Sequence, residues 1–339
     1  MSIATSIVTL PETARPIRAI CMGEVLIDFV PTVTGTDLAT APAFQKAPGG
    51  APANVAVGLS RLGVPSAMIA KVGADGFGRF LIKALVDAGV DATLVRQDPA
   101  NRTPLAFVSL AEDGDREFLF YGEPWGNLVP EDLDLAAIGA ADLLHFGSLA
   151  LIGEGPRAAT WAAVDAARAQ NRMVSFDANL RLDLWPSADA ARAAIRQGIA
   201  RSTVIKLSDE ELEFLTGSTD AVVAGRTLWH DAAQALVVTH GSKGCTCLTR
   251  TEHVSVRGFS VRPVDTTGAG DAFVAGFLSG LLTTPDAPLA DLCRFANGAG
   301  ALATTQRGAI PAMPTREAVT SLIAAQFNAS SSATEQSES

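Results

Sequence analysis

Asp265-Thr266-Thr267-Gly268-Ala269-Gly270-Asp271 is a turn of small residues that runs straight into the apolar stretch from Ala272 to Leu282. Small side chains let a ligand approach the backbone closely, and the N–H groups of a helix's first turn have no intrahelical acceptors. The segment therefore reads as an anion hole built from main chain. Asp271, at the start of the helix, reads by itself as an N-terminal cap, for which Asp is among the favoured residues. The common nucleotide-binding patterns do not fit. No G-x-x-x-x-G-K-[ST] is present, and although Gly268 and Gly270 open like a dinucleotide fingerprint, Phe273 stands at the third glycine position.

Composition narrows the ligand classes. The 339 residues carry 26 Lys and Arg against 36 Asp and Glu, a formal charge of −10. A nucleic acid backbone is repelled by such a chain, so nucleic acid is excluded as a partner. An anion must be held by local positive potential from backbone amides, a helix N-terminus and a metal ion. Cys21, Cys245, Cys247 and Cys293 read as reduced thiols, and Cys245 and Cys247 lack the second Cys or His pair of a zinc site. No apolar run reaches the ~18 residues of a membrane span and no secretory leader is evident, so the expectation is a soluble, cytoplasmic protein without a membrane partner.

Residues 1–16 and 327–339 read as disordered tails around a single domain, 17–326. Within it, β-branched runs alternate with Ala-rich stretches of helical period, which predicts a three-layer α/β/α core with a mostly parallel sheet. Expected strands are Ala19–Met22, Ser66–Lys71, Leu143–Phe146, Met173–Phe176, Val204–Lys206 and Ala235–Thr239. Expected helices are Ala53–Leu62, Gly78–Ala88, Arg157–Ala169, Ala188–Ala200, Asp209–Leu215, Asp271–Leu282 and Leu289–Thr304. Two segments, 25–44 and 103–121, read instead as extended hairpins with an Asp113-Gly114 turn. They suit a small β-sheet lid that keeps water out of a site.

Asp265 through Gly276 resembles, without a gap, the C-terminal signature of the PfkB, or ribokinase-like, carbohydrate kinases. Pro48-Gly49-Gly50-Ala51-Pro52-Ala53-Asn54-Val55-Ala56 is similar to that family's other signature, and Gly23-Glu24-Val25-Leu26-Ile27-Asp28 to its opening strand. The likeness spans roughly 17–325 and implies a ribokinase-like fold and ATP-dependent phosphorylation of a sugar. It implies that Asp28, Gly49, Gly50 and Asn54 form the sugar pocket. It further implies that Asp271 is the general base, and that Gly268, Ala269 and Gly270 stabilise the transferring phosphoryl group.

For the nucleotide, Lys206-Leu207-Ser208-Asp209-Glu210-Glu211 resembles the family's N-x-x-E motif, with Ser208 in place of Asn and Glu211 on the magnesium side. Read without the family, Glu210 and Glu211 are simply a charged first helical turn. The resemblance also implies ATP contacts from Thr239, Gly241, Lys243, Gly244 and Asn297. It implies a monovalent cation such as K⁺ held around Asp265, Thr267, Ala303, Gln306, Gly308 and Ala312. Gly114 to Tyr121, Asp177 to Pro186, Ile205 to Thr216 and Thr305 to Pro311 resemble the fructokinase group, which implies D-fructose as substrate and D-fructose 6-phosphate as product. The alternative is 2-dehydro-3-deoxygluconate. Arg102 and Arg181 lie where that relative binds an acidic sugar, and they can also serve the phosphate or pair with Asp177 or Asp183. A homodimer through the lid and a non-catalytic regulator are the remaining possibilities; the second requires loss of a base, glycine or Glu that is present here.

Overall fold

The computed structural model describes residues 16–33, 35–108, 118–123 and 126–337, with side chains through 326 apart from that of residue 118. The Asp113-Gly114 turn lies outside the described residues. The strands are β1 Ala19–Met22, β2 Leu26–Pro31, β3 Phe44–Gly49, β4 Ser66–Gly73, β5 Val95–Asp98, β6 Leu105–Val108, β7 Phe118–Tyr121, β8 Leu143–Gly147, β9 Met173–Asp177, β10 Val204–Ser208, β11 Ala235–Thr239, β12 Gly244–Leu248 and β13 His253–Arg257. The helices are α1 Ala51–Arg61, α2 Gly76–Asp87, α3 Leu135–Ala140, α4 Glu154–Ala169, α5 Ala188–Arg201, α6 Asp209–Thr216, α7 Ala221–Leu228, α8 Ala269–Thr283, α9 Leu289–Ala303, α10 Ala309–Ala312 and α11 Arg316–Ser337.

Nine strands form the large sheet, in the order β13-β12-β11-β10-β9-β8-β1-β4-β5. All its pairings are parallel except the two that join β11, β12 and β13 at one edge. The central strand β1 shows why the sheet needs two helical layers. Ala19 and Cys21 pack into a core with residues of α1, α8 and α9, while Ile20 and Met22 pack into a second core with α4 and α5. A strand buried on both faces reads as an unbroken apolar run, and each large aliphatic or aromatic side chain so buried contributes about 1.5–3 kcal/mol. Phe146 of β8 and Phe176 of β9 meet in the second core with ring centroids 5.0 Å apart.

From β1 the chain passes to β4 and β5 on one side and later to β8 through β13 on the other, so the strand order reverses at β1. Ligands of open α/β sheets bind outside the carboxyl ends of the strands at such a reversal. The small sheet, β3-β2-β6-β7, stands apart and begins four residues after β1 ends. It is closed on one face by aromatic packing: Phe29 stacks on Phe107 at 4.8 Å, and Phe44 and Tyr121 each meet Phe107 edge-on.

Several boundaries move. Helix α8 starts at Ala269 with Gly268 as its N-cap, in the left-handed region at φ 78°. Asp271 therefore sits on the third helical residue and does not cap the helix. Helix α7 was not among the expected helices, since its Val222 and Val223 suit strands as well; Asp220 caps it by accepting from both their amides. The backbone stays helical through 327–337, where the sequence suggested a tail, since no Gly or Pro follows Pro314 to stop it. Among the described residues, all four cysteines are buried and unbridged, and no helix is long and apolar enough to cross a membrane.

Candidate active site

The two signature motifs, far apart in sequence, meet at one hydrogen bond. Asn54 Nδ2 donates to Asp271 Oδ2 at 2.7 Å across 217 residues of chain, and both side chains are buried. The contact arises because α1 and α8 lie side by side in the first core, with Gly58 so close to Ala275 that a Cβ on Gly58 would come within 2.6 Å of it. A carboxylate only accepts, so Asn54 must turn its amide nitrogen toward Asp271 and its Oδ1 away. That Oδ1 is buried without a partner among the described residues, as is expected of a group awaiting a donor such as a sugar hydroxyl. Burial pushes the Asp271 carboxyl up to about 6; the charge of Asp177 adds to the rise, while Asn54, Lys206 and Arg181 oppose it.

The glycines before α1 are required by their neighbours. A Cβ on Gly49 would stand 2.1 Å from Asp28 Oδ2, so the missing side chain lets the carboxylate lie flat against the turn. Gly50 has φ +109° and a Cβ there would meet Glu24 O at 2.3 Å. Glu24 itself, just beyond β1, accepts from Ala51 N–H at 2.9 Å through Oε1, while Oε2 is buried without a partner. Burial, with a further push from Asp271, raises its carboxyl to about 7. Asp28, Gly49, Gly50 and Asn54 thus gather on one side of Asp271.

On the other side, α8 presents its first turn. The Ala269 N–H is turned to Thr266 O at 3.2 Å, which leaves the amides of Gly270 and Asp271 without an intrahelical acceptor. The turn is braced by Asp265, whose Oδ1 accepts from Thr267 N–H and Oγ1–H and whose Oδ2 accepts from Gly308 N–H at 2.9 Å. Asp265, Thr267 and Gly308 are thereby drawn together, with Ala312 at the end of the short helix α10 and Ala303 ending α9 close to Thr304, whose carbonyl accepts from Asp265 N–H. Gln306 is exposed on the same loop.

Of the remaining candidates, Arg181, Ser208, Glu211 and Thr239 follow or end β9, β10 and β11 at their carboxyl ends. Ser208 caps α6 in a reciprocal box: its hydroxyl accepts from Glu211 N–H, and Glu211 Oε2 accepts from Ser208 N–H at 2.7 Å. Glu211 Oε1 accepts from Leu180 N–H at 2.7 Å. Each oxygen keeps a second lone pair, and the described residues hold no cluster of three His, Cys, Asp or Glu that forms a metal site by itself. Thr239 ends β11, and Gly241 and Lys243 are exposed in the following turn. Gly244 is fixed by packing, since at φ +110° its Cβ would lie 2.0 Å from Val256 O. Asn297 Nδ2 bonds the carbonyls of Val256 and Arg257, tying α9 to β13. Arg102 is exposed before β6. Arg181 is exposed too, but its charge reaches both Asp271 and Glu24.

Three further charged residues stand here to which the sequence reading gave no role in the site. Glu24 is one. The others are Asp177 and Lys206, opposite each other on β9 and β10, with Nζ 3.0 Å from Oδ1 and both largely buried. Asp177 pairs with this lysine. An ionisable residue between Ile205 and Leu207, in a strand buried on both faces, was the available signal.

A carbohydrate-kinase pattern, described as pfkB family carbohydrate kinase, matches residues 17–316. The chain belongs to the pfkB family of carbohydrate kinases. It is 48% identical over 314 residues to probable fructokinase-7 of Arabidopsis thaliana, covering 90% of this chain and 92% of that one. Among solved structures it is similar to a fructokinase with bound ATP from Xylella fastidiosa, with TM-score 0.83, 34% identity, and coverage of 92% and 100%. It is also similar to a fructokinase from Vibrio cholerae O395 in a fructose, ADP and calcium ion bound form, with TM-score 0.79, 37% identity, and coverage of 91% and 99%. The three-layer core with a small separate sheet is the ribokinase-like fold of this family.

Proposed function

We propose that the protein is an ATP-dependent fructokinase that converts ATP and D-fructose to ADP and D-fructose 6-phosphate. The observation that carries this reading is the Asn54–Asp271 hydrogen bond, which sets a buried carboxylate between a cluster of hydroxyl-binding groups and a helix N-terminus. Asp28 and Asn54 Oδ1 hold the sugar hydroxyls. Asp271, with its carboxyl near 6, is ionised at neutral pH yet basic enough to take the proton of the attacking hydroxyl. Asn54 fixes which oxygen faces the sugar. The oxygen attacks the γ-phosphorus in line, the bond from that phosphorus to ADP breaks, and the first-turn amides of α8 meet the charge on the equatorial oxygens.

Ser208, Thr239, Gly241, Lys243, Gly244 and Asn297 border the ATP side in this reading. Magnesium supplies charge neutralisation on the phosphates when bound and keeps several waters. Glu211 fits it through the spare lone pairs of its two oxygens, accepting from such waters. A monovalent cation fits the carbonyl-rich loops that Asp265 ties together, since hard oxygen ligands suit it. The small sheet acts as the lid, and a homodimer through it, where β7 exposes Leu119 and Tyr121, belongs to the same reading, as does work in the cytoplasm.

Fructose kinases among the relatives support the substrate. A coupled ADP-release assay with fructose, ribose, fructose 1-phosphate and 2-dehydro-3-deoxygluconate tests it. Fructose should give the highest kcat/KM by at least about tenfold, the net worth of one hydrogen bond; preference for the acidic sugar would overturn the assignment.

A further inference from the structure

The buried charges at the carboxyl end of the sheet are mostly of the wrong sign for the ligand. Glu24, Asp177, Glu211 and Asp271 are all buried there, and they line a site that must receive a triphosphate. Amides and a helix dipole offset part of that repulsion, but one side chain offsets it with a full charge. Lys206 rises from the middle of β10, its side chain only 12% exposed, and its Nζ lies 3.0 and 3.3 Å from the two oxygens of Asp177. A Cβ built on Gly270 would come to within 3.6 Å of that nitrogen. That is ordinary contact distance, so the ammonium lies directly beside Gly270, the exposed residue in the first turn of α8.

A stability role does not explain this lysine. A buried ion pair costs about as much in desolvation as it returns, and an apolar pair of the same volume serves a sheet as well or better. Asp177 uses at most two of the three ammonium protons. Burial by itself disfavours the charged ammonium, yet the opposing charges of Asp177, Glu211 and Asp271 outweigh it and hold the proton on. On β8, one strand beyond β9, burial and the Lys206 charge keep His145 neutral, with its ring lowered to about 3; Arg181 is the other cation whose charge reaches Asp271. Lys206 is therefore a buried, fixed positive charge beside the anion hole.

We propose that Lys206 is a further residue of the phosphoryl-transfer site: its ammonium, clamped by Asp177 behind Gly270, meets the γ-phosphoryl group as that group passes from ADP to the sugar oxygen. The inference rests on reading Asp271 as the base and α8 as the anion hole. Lys206 keeps its protons throughout. The sugar hydroxyl gives its proton to Asp271, the new P–O bond forms as the bond to ADP breaks, and the lysine supplies charge and a hydrogen bond. A cation so placed is worth most when charge is shifting, because it is already oriented and shielded from water.

Three variants test this: Lys206→Met, Lys206→Arg, and the charge-balanced pair Lys206→Met with Asp177→Asn, which stays assessable if the single Met variant leaves Asp177 unpaired and fails to fold. Steady-state kinetics with fructose and ATP, thermal melting and a pH profile of kcat/KM are recorded for each. The double variant should stay folded and lose about 100-fold or more in kcat, as expected for loss of one transition-state donor, with the fructose KM within about threefold. Lys206→Arg should recover at least about tenfold over Lys206→Met by restoring the charge. In Lys206→Met the acid limb should move above 6, because Asp271 loses a charge that holds it down; loss of packing alone would not move it. A folded double variant with kcat within about threefold of wild type overturns the role of Lys206 and leaves the base reading intact. Full activity in Asp271→Asn overturns the base reading whatever Lys206 does.

Discussion

Asp271→Asn should make the protein more stable and nearly inactive at once. Burial raises the Asp271 carboxyl from 3.8 to about 6. Between those values the folded chain holds a proton that the unfolded chain has released, so stability falls as pH rises through that window and stays lower above it. At about 1.4 kcal/mol for each tenfold, the ionised carboxylate costs the fold about 3 kcal/mol at pH 8. Asparagine carries no charge and keeps an oxygen for Asn54 Nδ2, so the variant escapes most of this cost while preserving the 2.7 Å contact. Urea unfolding followed by the fluorescence of the four tryptophans should place the variant up to about 3 kcal/mol above wild type at pH 8, with the gap closing as the pH approaches 4. In the same preparation kcat should fall by roughly 10²- to 10⁴-fold, the usual worth of a positioned base. A variant no more stable than wild type at pH 8, or a gap that does not close in acid, refutes burial as the cause of the raised carboxyl. Activity within about tenfold of wild type refutes the base.

Gly49→Ala puts a Cβ where Asp28 Oδ2 now lies, 2.1 Å away; the displaced carboxylate should raise the fructose KM by about tenfold or more in steady-state assays, with a smaller change in kcat. Arg181→Met should shift the acid limb of kcat/KM upward, because the guanidinium holds the Asp271 carboxyl down and activity is lost as pH falls through that value; Arg102→Met serves as the comparison and should leave the limb in place. Ser208→Ala removes the cap of α6 and its bond to Glu211 N–H, costing about 1 kcal/mol in urea unfolding.

The core was legible because its strands are buried on both faces: Ala19–Met22 and Ala235–Thr239 read from sequence match β1 and β11 to the residue. Short, half-buried elements were not. α3 and β5 have four to six residues and too little period to register, and α7, eight residues long with Val222 and Val223 in its first turn, reads as strand or helix alike until its Asp220 cap is seen. Taken alone Asp271 suggests a cap, but Gly268, free to adopt φ 78°, takes the capping position and leaves the carboxylate one turn inward. Sequence offers no measure of that shift, since Asp is favoured both at the cap and within the first turn.

The sequence alone determined the layer architecture and the small-residue turn at 265–271, because apolar periodicity and glycine placement are local properties of the chain. Family likeness supplied the roles of the two motifs. Only the tertiary structure decided that Asn54 reaches Asp271, that Glu24 is buried beside Ala51, and that Lys206 with Asp177 stands behind Gly270. Those facts depend on which strands become neighbours when the sheet order reverses at β1, and on how far burial removes each charge from water. Neither is written in any single stretch of residues.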